Sequence, residues 1–219
     1  MNFSETIIIG SHVPILFTVV YAAIHFKQLG RELKVFSWFI FLSGIIQFTS
    51  LGFWFAGKNN MPLLHIYVAS GFICLAWFYK TLLGGFVNAK IIWLIAILFL
   101  LFTIINSLFI QPVLTFNSNA LTVESMLIII LALFTFRFFL NDIVKETSGR
   151  DSKSLNWINS GLFIYYLSSM LIFYFGSVIT HTFSRYLNLY AWIFHSFFSI
   201  VMYTCFFIGL WKRSKTYTL

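Results

Sequence analysis

Apolar residues run along this chain in seven long blocks, residues 6–26, 35–56, 62–82, 91–111, 120–140, 156–178 and 189–211. Each is close to the roughly 20 residues that an α-helix needs to cross a bilayer. The breaks between them are short and polar or turn-forming: Lys27-Gln28-Leu29-Gly30-Arg31-Glu32, Gly57-Lys58-Asn59-Asn60, Gly84-Gly85, Asn117-Ser118-Asn119, and the stretches 141–156 and 180–188. The pattern predicts an all-α, polytopic membrane protein: a seven-transmembrane-helix bundle that occupies residues 1–219 as one domain. Asn60, with Pro62 in the first turn behind it, is the expected cap of the third span, and Asn119 and Ser154 those of the fifth and sixth. Pro14 is expected to bend the first span, as prolines do inside membrane helices.

The basic residues orient the bundle. With the N-terminus outside and the C-terminus inside, the inner face receives Lys27, Arg31, Lys34, Lys80, Lys90, Arg137, Lys145, Arg150, Lys153, Lys212, Arg213 and Lys215. The outer face keeps only Lys58 and Arg185, so the 14 Lys and Arg residues divide twelve to two. Cytoplasmic loops carry such an excess. Tyr186, Tyr190 and Trp192 then fall at the outer interface, and Trp38, Trp157 and Trp211 near the inner one, where aromatic side chains collect.

Composition agrees. Hydrophobic residues make up 60% and charged residues 9%, against about 25% charged in soluble domains, and the mean hydropathy is +0.90. A water-facing surface cannot be covered with so few charges. The formal net charge of +8 therefore reports the inner loops rather than a nucleic-acid partner. Cys74 and Cys205 sit inside apolar blocks and read as small packed side chains, not as a disulfide. The N-terminus, Met1-Asn2-Phe3-Ser4-Glu5, lacks the basic start of a cleavable signal.

Two sets of blocks share a pattern. Trp38, Phe53-Trp54-Phe55-Ala56-Gly57, His65 and Trp77-Phe78-Tyr79-Lys80 are echoed by Trp157, Phe173-Tyr174-Phe175-Gly176-Ser177, His195 and Leu210-Trp211-Lys212. One reading is a three-plus-one-plus-three parallel repeat. The other is that Phe-rich, basic-ended helices resemble one another by composition alone.

Ionisable residues inside a span cost at least about 2.5–3.5 kcal/mol at mid-membrane, so each is a candidate for function. His12, His65, Glu124 and His195 lie on four different helices, within roughly 5–10 Å of their outer ends at 1.5 Å rise per residue. In a closed bundle they are expected to converge. Three imidazoles and a carboxylate form a zinc-type ligand set, although the local spacing of known metal motifs is absent. A second polar set, Gln47, Asn106, Asn159, Tyr165, Tyr166, Ser168, Ser169, Ser199 and Tyr203, reads either as hydrogen-bonding glue between helices or as a ligand cavity. In the latter reading His195, Asn159, Tyr166 and Tyr203 are the expected ligand contacts.

Some chemistries are excluded. No lysine occurs between Leu189 and Trp211, so no retinal Schiff base forms in the last span. The Pro-Gln motif of small sugar transporters appears only reversed, as Gln111-Pro112. Seven-span hydrolases of the ceramidase and progestin-receptor type combine a Ser, an Asp and clustered His residues, a pattern this chain departs from, since both aspartates, Asp142 and Asp151, fall in one inner loop.

Asn156-Trp157-Ile158-Asn159-Ser160-Gly161 with Tyr165 or Tyr166, and Trp192-Ile193-Phe194-His195-Ser196 through Gly209-Leu210-Trp211-Lys212, carry a resemblance over about the last third of the chain. Glu124 and residues 134–138 add to it. The chain resembles seven-span proteins of Bacteroidetes that lack an established activity and look like companions of sensor histidine kinases. The resemblance implies a sensory role.

The expected function is a receptor-like or sensory protein of a bacterial inner membrane that binds a small ligand or metal near its outer face. The loop 141–156 and the eight residues after Trp211 predict no output domain, so the signal is expected to pass to a cytoplasmic partner such as a histidine kinase. The alternative is a metal-dependent hydrolase acting on lipid, with His12, His65 and His195 holding zinc and Glu124 as general base. A small-solute transporter built on the repeat is a further alternative.

Overall fold

A computed structural model describes residues 3–145, 152–182 and 184–213. Arg150, Asp151 and Lys215 lie outside the described residues. The chain is all-helical. In order it forms α1 (Phe3–Gly10), α2 (His12–His25), a 3₁₀ turn (Phe26–Gln28), α3 (Arg31–Phe55), α4 (Met61–Leu82), α5 (Ala89–Ile105), a π-helical turn (Asn106–Ile110), α6 (Ser118–Lys145), α7 (Ser152–Tyr174), α8 (Gly176–Thr182) and α9 (Arg185–Trp211).

Among the described residues, five helices are long and apolar enough to cross a membrane: Arg31–Phe55, Met61–Leu82, Ala89–Ile110, Ser118–Asn141 and Tyr186–Trp211. This makes the chain a multi-pass membrane protein. The first and sixth apolar blocks are helical but interrupted. The first breaks at Ser11 rather than bending at Pro14, because a proline lacks the N–H that would bond the carbonyl four residues back and its ring crowds that carbonyl. The sixth breaks at Phe175, and Gly176 follows at a point where the Phe116 ring presses so close that a Cβ would sit 2.1 Å from its edge.

The helix ends are built differently from the expected caps. Asn60 sits at the start of α4 but its side chain donates to Ser50 Oγ at 2.7 Å, while Asn59 Oδ1 caps Met61 N at 2.8 Å. Asn119 lies inside α6 and Ser154 inside α7, where both bond to other helices instead. Helix α3 ends in a Schellman turn: Lys58 N reaches Phe53 O at 2.8 Å and Gly57 N reaches Trp54 O at 3.0 Å. Gly57 takes φ 65° there, a conformation that favours glycine.

The helices form a ring. Helix α2 packs on α3 and α9, α3 on α4, α4 on α5 and α6, α6 on α7, and α7 on α9. Apolar side chains fill the core and also cover the outside. Phe17, Ile45, Ile66, Leu98, Leu133 and Phe197 point outward and are exposed, whereas Thr18, Ser37, Ser43, Asn106, Asn159 and Ser169 are buried. Lipid solvates the first group, and the second must find partners within the bundle. At one end, Arg213 donates to Gln28 Oε1 at 2.6 Å and to the Tyr21 hydroxyl at 3.1 Å, and Lys212 lies over the Trp157 ring. These contacts gather the end of α9, the α2–α3 turn and the first turns of α7.

The tightest seam joins α7 to α9. A Cβ on Gly161 would lie 2.8 Å from Cys205 Cβ, and one on Gly209 would lie 2.9 Å from the Ser154 carbonyl oxygen. The Ser154 hydroxyl donates to the Gly209 carbonyl across the same seam. Small residues let backbones approach this closely in membrane helices. Gly209→Leu is therefore expected to lower stability by about 1–3 kcal/mol through overpacking. Gly52→Ala, whose Cβ meets nothing within 4 Å, should leave it unchanged or raised. Thermal unfolding of the detergent-purified variants compares them, and an unaltered midpoint for Gly209→Leu would refute the seam.

Candidate ligand-binding cavity

Four helices bring polar side chains to one end of the ring. The break before α2 supplies Ser11 and its first residue His12, the last turns of α3 supply Gln47, Ser50 and Trp54, the residue before α4 supplies Asn60 and its second turn Tyr67, and the first half of α9 supplies Trp192, His195, Ser196 and Ser199. Together with Phe116 and several aliphatic residues they line a cavity of about 400 Å³. That volume falls within the range of small-molecule sites, which are mostly apolar with a few placed polar groups. Its wall holds two imidazoles, two side-chain amides, hydroxyls and an aromatic surface. No carboxylate, lysine or arginine is among the residues that line it.

His195 is the most firmly positioned of these groups. Its Nε2 pairs with the Tyr165 hydroxyl at 2.9 Å. Its ring is flanked by Tyr165 and Phe173, each 5.4 Å away between centroids, and by Trp192 at 5.7 Å. Two residues of α7 and one of α9 thus fix the plane of an imidazole that faces the cavity. His12 also lines the cavity, with its ring 6.0 Å from Phe48.

His65 does not belong to the cavity. Buried at the start of α4, it pairs through Nδ1 with Ser107 Oγ at 2.7 Å and through Nε2 with the Thr115 carbonyl at 3.1 Å. A carbonyl only accepts, so Nε2 carries a hydrogen and neither nitrogen is available to a metal. The residue ties the 111–117 connection onto α4, helped by Asn59 Nδ2, which donates to the Leu114 carbonyl at 3.0 Å. Behind it, Asn106, Gln111, Asn117, Ser118 and Asn119 form a side-chain network. Asn106 Nδ2 donates to Asn117 Oδ1 at 2.9 Å, Asn119 Nδ2 donates to Asn106 Oδ1 at 3.0 Å, and Gln111 Oε1 accepts from Asn119 N at 3.0 Å. The π-helical turn at Asn106–Ile110 lets the end of α5 enter this network.

Glu124 lies elsewhere again. It is buried in α6, and its Oε1 accepts from the Tyr166 hydroxyl at 3.1 Å. The expected convergence of His12, His65, Glu124 and His195 on one zinc-type site is accordingly corrected. Among the described residues no three His, Cys, Asp or Glu side chains come together as a metal-ligand group. Equal depth along four helices does not imply that the four side chains turn to the same point.

The expected ligand contacts divide in the same way. Of His195, Asn159, Tyr166 and Tyr203, only His195 reaches the cavity. Asn159 is buried glue: its Oδ1 accepts from the Tyr79 hydroxyl and its Nδ2 donates to the Ala132 carbonyl, each at 3.1 Å, linking α4, α6 and α7. Tyr166 is engaged by Glu124. The Tyr203 hydroxyl lies beside Ser43 and Tyr67 in the bundle core. Ser11, Ser50, Trp54, Asn60 and Ser196 are contacts beyond the expected set. Their signal is present in the chain, since 47, 50, 51 and 54 on α3 and 192, 195, 196 and 199 on α9 repeat at helical spacing.

Metal analysis of the detergent-purified protein is expected to show no stoichiometric zinc, with or without His195→Ala. Near one equivalent of zinc, lost in that variant, would restore the four-residue ligand set and with it the hydrolase alternative.

No family model, no curated protein and no solved structure matches this chain.

Proposed function

We propose that this chain is a receptor-like membrane protein that binds a small, largely apolar, uncharged molecule in the cavity between α2, α3, α4 and α9. The observation that carries this reading is the lining: aromatic walls from Trp54, Tyr67, Phe116 and Trp192, with hydrogen-bonding groups at His12, Gln47, His195 and Ser199. An organic cation or anion would meet no formal counter-charge there unless an imidazole supplied one.

The bundle has seven spans in this reading, with α1–α2 and α7–α8 serving as interrupted first and sixth crossings. Its N-terminus lies outside, which turns the cavity outward and the twelve-residue basic set toward the cytoplasm of a bacterial cell. Support comes from the helical state of all seven apolar blocks and from the contacts of Arg213 and Lys212 at the opposite end from the cavity. Signalling requires that the ligand favour one helix arrangement over another by differential affinity. The inner basic loops are the surface offered to a cytoplasmic partner such as a histidine kinase, a role that rests on the sensory resemblance of spans six and seven.

A panel of neutral and charged amphiphiles, read by tryptophan fluorescence and thermal unfolding, tests the binding step. A true ligand at about 100-fold its Kd should add roughly 2.7 kcal/mol of stability. The effect should vanish in Ser199→Phe, which fills the cavity, and fall in Gln47→Leu. The proposal fails if neutral compounds give no saturable response, or if Ser199→Phe folds and still responds fully.

A further inference from the structure

Outside the cavity lining, three side-chain oxygens are buried without a hydrogen-bond partner among the described residues: Glu124 Oε2, Ser169 Oγ and the Tyr203 hydroxyl. The helix register sets the first two at one level of the bundle. Helices α6 and α7 run antiparallel, with their register set by the bonds from Asn159 to Ala132 and from Tyr166 to Glu124. A step inward along α6 matches a step back along α7, so Glu124 stands level with the turn of α7 from Tyr166 to Ser169. Tyr166 turns onto Glu124 Oε1 and Tyr165 turns onto His195. At 100° per residue, Ser169 points between those two directions, into the centre of the bundle. Tyr203 enters the same region from α9, beside Tyr67 and Ser43, and the Tyr67, Tyr165 and Glu124 side chains lie within electrostatic reach of one another.

We propose that Glu124, Ser169 and Tyr203 form a binding site for one monovalent cation, sodium, in the core of the bundle. Every available donor is an oxygen, the ligand type of hard cations. The site holds one carboxylate, and no basic side chain hydrogen-bonds to it among the described residues, so a singly charged ion leaves it neutral where a divalent ion would not. Few ligands and a close-packed surround favour the smaller alkali ion. Tyr166 is a positioning residue that holds one carboxylate oxygen so that the other faces the ion. The site does not depend on what the cavity binds.

Two measurements on the detergent-purified full chain at fixed pH test this. The first is equilibrium binding of radiolabelled sodium by scintillation proximity. The second is thermal unfolding with sodium chloride exchanged for potassium or choline chloride at constant ionic strength. Wild-type protein is expected to bind sodium saturably and to unfold at a higher temperature in sodium than in either other salt. Glu124→Gln should lose both effects, and Ser169→Ala and Tyr203→Phe should weaken sodium affinity several-fold. Absence of saturable sodium binding, or equal stability in all three salts, overturns the proposal. So does stabilisation that follows pH alone, which would make the occupant a proton. If Glu124→Gln does not fold, the two hydroxyl variants decide, and unchanged affinity in both also overturns it.

Discussion

A bilayer interior offers no hydrogen bonds, and that constraint governs how this chain folds. Each backbone group must be satisfied within its own helix, and each polar side chain must find a partner inside the bundle or at an interface. The consequences run through the whole ring. Buried Thr18, Ser37, Ser125 and Thr135 bond carbonyls on their own helices. Asn159 ties three helices, and Ser154 crosses the α7–α9 seam to Gly209. Apolar side chains fill the core as in a soluble protein and in addition coat the exterior, where lipid solvates them. Phe36 shows this inner packing, with rings of Phe39, Phe78 and Phe206 at 4.8–5.8 Å.

The two ends of the bundle solve the same constraint differently. At the basic end, arginine and lysine lean on aromatic rings and amides near water. At the other end, an amide network built on Asn106 and the doubly bonded His65 closes α5, α6 and the 111–117 connection into a rigid wall. That wall leaves α2, α3, α4 and α9 to enclose the cavity. Polar groups that look equivalent by depth therefore have distinct tasks. His65 holds a loop, His195 faces an open volume, and Glu124 is buried against Tyr166.

A carboxylate in such a core is tolerated only where the surround compensates it. Tyr166 compensates one oxygen of Glu124, and the other is buried without a hydrogen-bond partner among the described residues. The tyrosines around it, Tyr67, Tyr165 and Tyr203, also connect to the cavity, because Tyr67 lines it directly and Tyr165 holds the His195 ring. Cavity and core are thus neighbours through shared side chains, and a change in either is felt by the same rings.

Much of the architecture is legible in the order of apolar and polar residues. Seven apolar blocks correspond to helix, because roughly 20 apolar residues have no other low-energy form in lipid; the breaks at Gly57 and Gly84-Gly85 fall where helices end, and the one at 117–119 falls where α6 begins. The polar stripes on α3 and α9 are also visible as helical spacing. Their meaning is not, since periodicity fixes which residues share a face of one helix but not which neighbour that face meets or how far the helix is rotated. His65 shows the limit: its partners, Ser107 and the Thr115 carbonyl, lie 42 and 50 residues away, and one is a backbone group that no pattern of side chains encodes. Helix identity and the lipid-facing surface follow from local composition, because each helix satisfies its own backbone. Which histidine faces the cavity, which one braces a loop and where Glu124 ends up are decided by packing, because only the assembled ring sets the rotation and register of each helix against the next.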